Sequence, residues 1–357
     1  MKQHWTWIAV ALLAFSPTVR AETLSFTTFV PSSAIGTAEG GNTSAIAFNY
    51  AGNKFVGTVY FDNQLYTTNL AGGAVTVFGT PLPESSSSVG EVVVGASLGQ
   101  SGFPLGNIYA GSGADGKIYQ YANSGGAPAL FATLPPAAGQ VRQIFFDPGS
   151  TFGGNMIVAT TTGNIYVVNS AGTPTLLVNV GEDTEGLDIA PSTFGPYAGD
   201  LMVSSELSGS LRFITPAGVI ATTVSGLPTA ETVSTIPLNL DLSNPLEGFY
   251  VANYSQDVQF ASAGQFISQG ILGTTIVTSE SGGSHAWDIA YTGSGFSVTP
   301  FTFPGNQISQ FEDGIFVTPQ RITDTGGGTT PEPSSILLLG TGLAAFAGLR
   351  FRKMPAA

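Results

Sequence analysis

The chain has 357 residues, with ten Lys and Arg against 23 Asp and Glu, a formal net charge of −13, two His and no Cys. That balance repels nucleic acid and anionic lipid headgroups, and the missing Cys excludes disulfides and thiol chemistry. Only 9% of residues are charged while 47 are Gly and 22 are Pro, a composition for short strands and turns rather than long helices.

The first 21 residues carry Lys2, an apolar run over 8–15 and the ending Val19-Arg-Ala21. A cation, a short apolar stretch and a small-x-small end are the layout of a secretory signal peptide cut after Ala21. The body is then expected outside the cytoplasm. Half of the basic residues lie in the two ends of the chain. The body keeps Lys54, Lys117, Arg142, Arg212 and Arg321 against nearly all of the acids. A cation or a neutral glycan is an easier partner for such a body than any polyanion.

A repeat organises that body. Gly106-Asn-Ile-Tyr-Ala-Gly111 leads to Asp115-Gly-Lys-Ile-Tyr119 and then Gly125-Gly-Ala-Pro-Ala-Leu-Phe-Ala132. The pattern returns in Gly154-Asn-Met-Ile-Val-Ala159, Thr162-Gly-Asn-Ile-Tyr166 and Ala171-Gly-Thr-Pro-Thr-Leu-Leu-Val178, and again over 199–221. Each copy reads strand, Gly turn, strand, Gly turn, strand, and an apolar opening ahead of it supplies a fourth strand. First strands are placed near residues 44, 91, 142, 185, 238 and 285. Four antiparallel strands at a period of about 40 to 50 residues predict an all-β fold, a β-propeller of six four-stranded blades. Seven blades stay open, because 314–319 resembles a further blade opening. The segments 23–29 and 314–318 are expected to close the ring.

Two motifs of catalytic appearance read better as turns. Gly95-Ala-Ser97-Leu-Gly99 has the form of a nucleophile elbow, but Gln100-Ser-Gly-Phe-Pro104 behind it cannot hold the helix an elbow needs. Gly111-Ser-Gly113-Ala-Asp-Gly116 has dinucleotide spacing, but a strand follows where a helix is required. No catalytic residue is assigned.

Glu182-Asp183-Thr-Glu185-Gly186-Leu-Asp188 is the densest acidic cluster. The repeat puts Glu185 where an innermost strand begins, at one end of the central channel, with Glu91, Arg142, His285 and Asp313 at equivalent places. Carboxylates gathered there suit a hard cation, which makes Ca²⁺ the candidate cofactor and Glu185, Asp188 and Asp313 its candidate ligands. Arg142 in the same ring points instead to a salt bridge with Glu185 or Glu91. The Glu-Gly opening also resembles, over two or three residues, the metal-bearing openings of lactonase-like and phytase-like propellers. Tyr119, Tyr121, Tyr166 and Tyr254 are candidates for stacking on a glycan.

The end of the chain has three parts. Pro331-Glu332-Pro333 comes first, then an uncharged stretch over 334–349, then Arg350, Arg352 and Lys353. In this order and place they resemble the PEP-CTERM sorting tail of exported bacterial proteins. The resemblance implies processing by an exosortase-type membrane protease, with Pro331, Glu332 and Pro333 as the sorting motif. It also implies a short transmembrane helix at 334–349, with the three cations stopping transfer. The domains expected are a signal peptide 1–21, a propeller body 22–322, a Gly/Thr-rich spacer 323–330 and a sorting tail 331–357. The route expected is export, an inner-membrane intermediate held by the tail helix, then the cell surface or extracellular space. Two functions are open for the body: a binding or structural module of the extracellular polysaccharide layer, or a Ca²⁺-dependent, lactonase-like hydrolase using Glu185, Asp188, His285 and Asp313. Without a catalytic constellation the first is favoured, and whether the body is an enzyme stays open.

Overall fold

A computed structural model describes residues 22–280, 286–305 and 310–319. All of its strands fall into six sheets, antiparallel but for one terminal pairing. Their innermost strands are Ala45–Tyr50, Val94–Ala96, Val141–Phe146, Leu187–Ile189, Ala230–Thr235 and Phe311–Val317. Each packs against the next, and the last returns to the first, so the sheets are the blades of a closed six-bladed propeller.

Between neighbouring blades lies a dry seam, and there are six buried hydrophobic clusters, one for each seam. The third blade shows how the sequence supplies two of them. Along its second strand, Met156–Thr160, Met156 and Val158 face the second blade while Ile157 and Ala159 face the fourth. A strand alternates its faces with a period of two, so covering both faces demands an uninterrupted apolar run. The repeated Gly of the turn into each outer strand has an equally local cause. Gly172 and Gly218 both adopt φ +76°, and a Cβ there would overlap the Phe131 or Leu177 carbonyl oxygen of the preceding blade.

The first four blades are continuous in sequence, but the last two exchange strands. After the fifth inner strand, Ala230–Thr235, the chain crosses to the sixth blade for Gly248–Asn253 and Val258–Ser262. It then returns through the helix Ala263–Gln269 to finish the fifth blade with Thr275–Ser279, Ala286–Tyr291 and Phe296–Thr302. Finally it supplies the sixth inner strand, Phe311–Val317, against Gly248–Asn253. The N-terminal strands close the ring from outside. Thr27–Val30 is the outer strand of the sixth blade, and Glu22–Thr23 adds in parallel to Phe296–Thr302 of the fifth.

This exchange corrects the sequence reading in its last third. The strands expected near 238 and 285 are not innermost: 238 lies in a connection, Ala286–Tyr291 is a third strand, and His285 lies outside the described residues. The segment 314–318 does not open a seventh blade or pair with the N terminus; it belongs to the sixth inner strand, at the opposite edge of that sheet from Thr27–Val30. A second correction concerns the membrane. No helix among the described residues is long and apolar enough to cross one. The expected helix at 334–349 lies outside the described residues, and its reach of about 24 Å falls short of a bilayer core of about 30 Å. The transmembrane helix and the membrane attachment that depended on it are therefore withdrawn from the fold and from the partners.

Leu24, fully buried, links the two N-terminal strands in the seam between the fifth and sixth blades, and its N–H donates to the Thr302 carbonyl oxygen at 3.0 Å. Leu24→Ala is expected to cost about 2–5 kcal/mol in urea unfolding. A loss well below about 1 kcal/mol would mean that this segment does not close the ring.

Candidate functional site

The chain positions charge on the channel axis through strand polarity. The N-terminal ends of the inner strands gather at one mouth, bringing Glu91, Arg142, Glu185, Glu231 and Glu312 together. Second strands run the other way, so Glu206 after Leu201–Ser205 and Glu280 after Thr275–Ser279 reach the same mouth. Arg142 is the cation set among them: its Nε lies 3.2 Å from Glu185 Oε1, its Nη2 3.2 Å from Asp183 Oδ2, and its Nη1 pairs with Glu91. Both salt bridges expected for Arg142 are thus present at once. Gln310 Nε2 donates to Glu280 at 2.8 Å and to Glu312 at 2.7 Å.

One guanidinium cannot neutralise this many carboxylates. Burial disfavours the Arg142 charge, yet the Glu185 and Asp183 carboxylates outweigh that and hold its pKa above the ordinary value. Burial raises Glu185 and Glu231 well above 4.5; Arg142 partly offsets the rise at Glu185, while Glu185, Glu312, Glu206 and Glu280 add to it at Glu231. Glu206 is pushed up to about 8 by burial and then by its hydrogen bond to Glu280 and the charge there. Glu312 is pushed up to about 9 by burial and by Glu280. At neutral pH Glu206 and Glu312 are therefore held in the protonated form.

One residue further along the same strands, the channel is bridged. Gln143 Nε2 of the third blade donates to Asp313 Oδ1 of the sixth at 2.7 Å, reaching across the axis. Beyond the bridge opens a cavity of about 330 Å³, lined among others by Asn49, Asp188, Ser234 and Thr235. Asp188 accepts from the backbone N–H of Ile189 and of Thr235, each at 2.7 Å, and so ties the fourth blade to the fifth.

The three candidate ligands therefore divide between the two ends. Glu185 belongs to the acidic mouth, whereas Asp188 and Asp313 line the cavity on the far side of the bridge. Among the described residues no group of three or more Asp, Glu or His is arranged to hold a metal ion. The sorting and stop-transfer residues lie outside the described residues. Glu231, Glu206 and Glu280 escaped the sequence reading. The signal for Glu231 was available, since Glu231-Thr-Val stands in the register of Glu185-Gly-Leu, but the strand exchange displaced it from the expected period. Ser97 is buried in a turn after the second inner strand, its Oγ accepting from the Gly99 N–H at 3.1 Å. Residues 112–116 form the hairpin between Ile108–Gly111 and Lys117–Ala122.

The aromatic candidates also change. Tyr119, Tyr121 and Tyr166 are buried in seams, and Tyr254 is half-buried. Among the described residues the exposed ring is Phe61, 56% accessible, on the rim of the acidic mouth. Its N–H donates to the Gly90 carbonyl oxygen at 2.9 Å, next to Glu91. Its ring lies 4.1 Å from that of Tyr60, which in turn lies 6.0 Å from Tyr254. Phe61 holds φ at +54°, a left-handed conformation that a side chain of this size rarely adopts.

Residues 329–353 match the PEP-CTERM protein-sorting motif. No curated protein matches the chain. Among solved structures, a chain of the crystal structure of a nidogen/laminin complex is similar, at 12% identity and a TM-score of 0.49 over 77% of this chain and 85% of that one. The protein is an exported one, with a surface or extracellular destination, and its body is a six-bladed propeller.

The raised carboxyls imply a definite pH dependence. Glu206 and Glu312 keep their protons in the folded chain at pH values where the unfolded chain, at about 4.5, has released them. Their contribution to stability is complete below about 4.5 and is lost as the pH rises through about 8 and about 9. Glu39, raised by burial to about 7, and Glu22, to about 8, act in the same direction elsewhere. Thermal melts should show Tm falling steadily from about pH 5 to about pH 9. Glu231→Gln should raise Tm at the alkaline end by about 2 °C or more and flatten the profile. A flat wild-type profile would show that the mouth is fully ionised.

Proposed function

We propose that the protein is a binding module of the extracellular polysaccharide layer, working through the face that carries the acidic mouth and the Phe61 rim. Phe61 carries the reading. An aromatic ring held exposed on a left-handed backbone costs stability without the return of burial, and such strain is characteristic of contact surfaces. Beside it the protonated carboxyls offer both hydrogen-bond donors and acceptors, which suits a hydroxyl-rich chain. Polyanions are disfavoured at so acidic a face. The sorting motif supports the same setting, since it implies delivery through an exosortase-type protease. The division into a signal peptide at 1–21, a body at 22–322, a spacer at 323–330 and a tail at 331–357 belongs to this proposal.

Retardation of the full chain in gels containing the host's own polysaccharide measures the binding. Phe61→Ala is expected to weaken it about fivefold or more, the value of one stacked ring. Phe61→Gly should weaken it equally while raising Tm, because glycine relieves the left-handed strain. Retardation unchanged in both variants would remove the rim from the site. The sorting step has its own readout: the intact mass of protein recovered from the host's culture fluid should lack the residues beyond about Pro331. Recovery with Ala357 still in place would rule out processing.

A further inference from the structure

We infer that the axial cavity on the far side of the Gln143–Asp313 bridge is a separate ligand site, built for a neutral, hydroxyl-rich molecule of about the size of a single hexose. The inference does not rest on the Phe61 rim, which stands at the opposite mouth.

Size and shape come first. The cavity encloses about 330 Å³, at the lower end of the range of about 300–1,000 Å³ for small-molecule pockets. It is floored by the bridge, which joins opposite blades and separates it from the acidic mouth. Four blades continue their inner strands into Pro148, Pro191, Pro237 and Pro319 at its entrance. Proline fixes φ and offers no N–H, so this rim is stiff and makes no backbone donation to the ligand. A pocket with a rigid rim and a hydrogen-bonded floor binds without a large ordering cost.

The chemistry of the wall then selects the ligand. Ser234 is only 4% exposed, lines the cavity, and its hydroxyl is engaged by no protein group among the described residues. That hydroxyl is not sealed from solvent, so it is open to the cavity and able to bond a ligand hydroxyl there. Asn49 donates its amide N–H to the Val94 carbonyl oxygen at 3.2 Å, which leaves its amide oxygen as an acceptor at the wall. No Lys or Arg lines the cavity while two carboxylates do, which disfavours an anion. The carboxylates are nevertheless poor cation ligands. Both oxygens of Asp188 already accept backbone N–H groups, and Asp313 Oδ1 accepts from Gln143. An apolar ligand would strand Ser234 and Asn49. What remains is a neutral molecule carrying several O–H donors.

Isothermal titration of glucose, galactose and mannose into the full chain tests this, with glycerol as a control for size. At least one hexose should bind saturably with one-to-one stoichiometry, and glycerol should bind much more weakly. Ser234→Ala should weaken that binding about fivefold, the value of one hydrogen bond, without moving Tm. Ser234→Phe, which fills the cavity, should abolish it, and Phe61→Ala should leave it at the wild-type value. If Ser234→Phe fails to fold, the alanine variant decides alone. Absence of saturable binding for all three hexoses overturns the inference, as does binding that Ser234→Ala leaves intact. Hexose binding lost in Phe61→Ala but kept in Ser234→Ala would place the sugar on the other face and overturn it equally.

Discussion

A four-stranded blade has two apolar faces and cannot cover either by itself, so every seam in this molecule depends on the ring being closed. Closure is made at the fifth and sixth blades, where two separate devices act together. The chain exchanges strands between the blades, and the N terminus adds one strand to each. Neither blade can be pulled out without unpicking its neighbour. The seam between them carries the aromatic group of Phe26, Phe303 and Phe311, with ring centroids 5.6 to 5.8 Å apart. With no cysteine available in an oxidising compartment, burial and this interlocking replace covalent cross-links.

Closure also creates the channel and makes its two ends chemically different. Inner strands share one direction, so whatever residue type starts them is multiplied around one mouth. Here the starting residues are mostly glutamates, and the result is an acidic ring that a single arginine compensates on one side. Burying the arginine is worthwhile only because three carboxylates surround it. Glu206, Glu231 and Glu312 relieve their repulsion by retaining protons. One residue along, Gln143 and Asp313 join opposite blades, and the far end becomes a cavity of mixed apolar and polar lining. Stability and the difference between the two channel ends are thus two results of one geometric arrangement, the alignment of equivalent positions around an axis.

The same alignment explains why metal ligands proposed along the sequence do not meet. Glu185 and Asp188 are three residues apart, one just before and one within the strand Leu187–Ile189, but the bridge at the level of Gln143 and Asp313 comes between their levels on the axis. Neighbours in sequence then serve different mouths. Residues from different blades, such as Glu231 and Glu185, become neighbours instead.

Much of the fold was legible in the sequence because a repeat of strands and Gly turns is a local property. Strand periodicity, turn glycines such as Gly172 and Gly218, and the inner-strand openings at Glu91, Arg142 and Glu185 all follow from the chemistry of adjacent residues. So do the acidity of the body, its unsuitability for polyanions and the sorting motif near the C terminus. The tertiary structure alone decided the order of strands in the last two blades, since Gly248–Asn253 reads as a blade strand wherever it is placed and only packing assigns it to the sixth. It alone decided which aromatic is exposed: Tyr121 and Phe61 both follow strand patterns, but only the first points into a seam. It also decided which carboxyls retain protons, because that depends on distances across the channel between residues far apart in the chain. Local sequence determines what each strand can be; the closed ring determines which strands, and which charges, face one another.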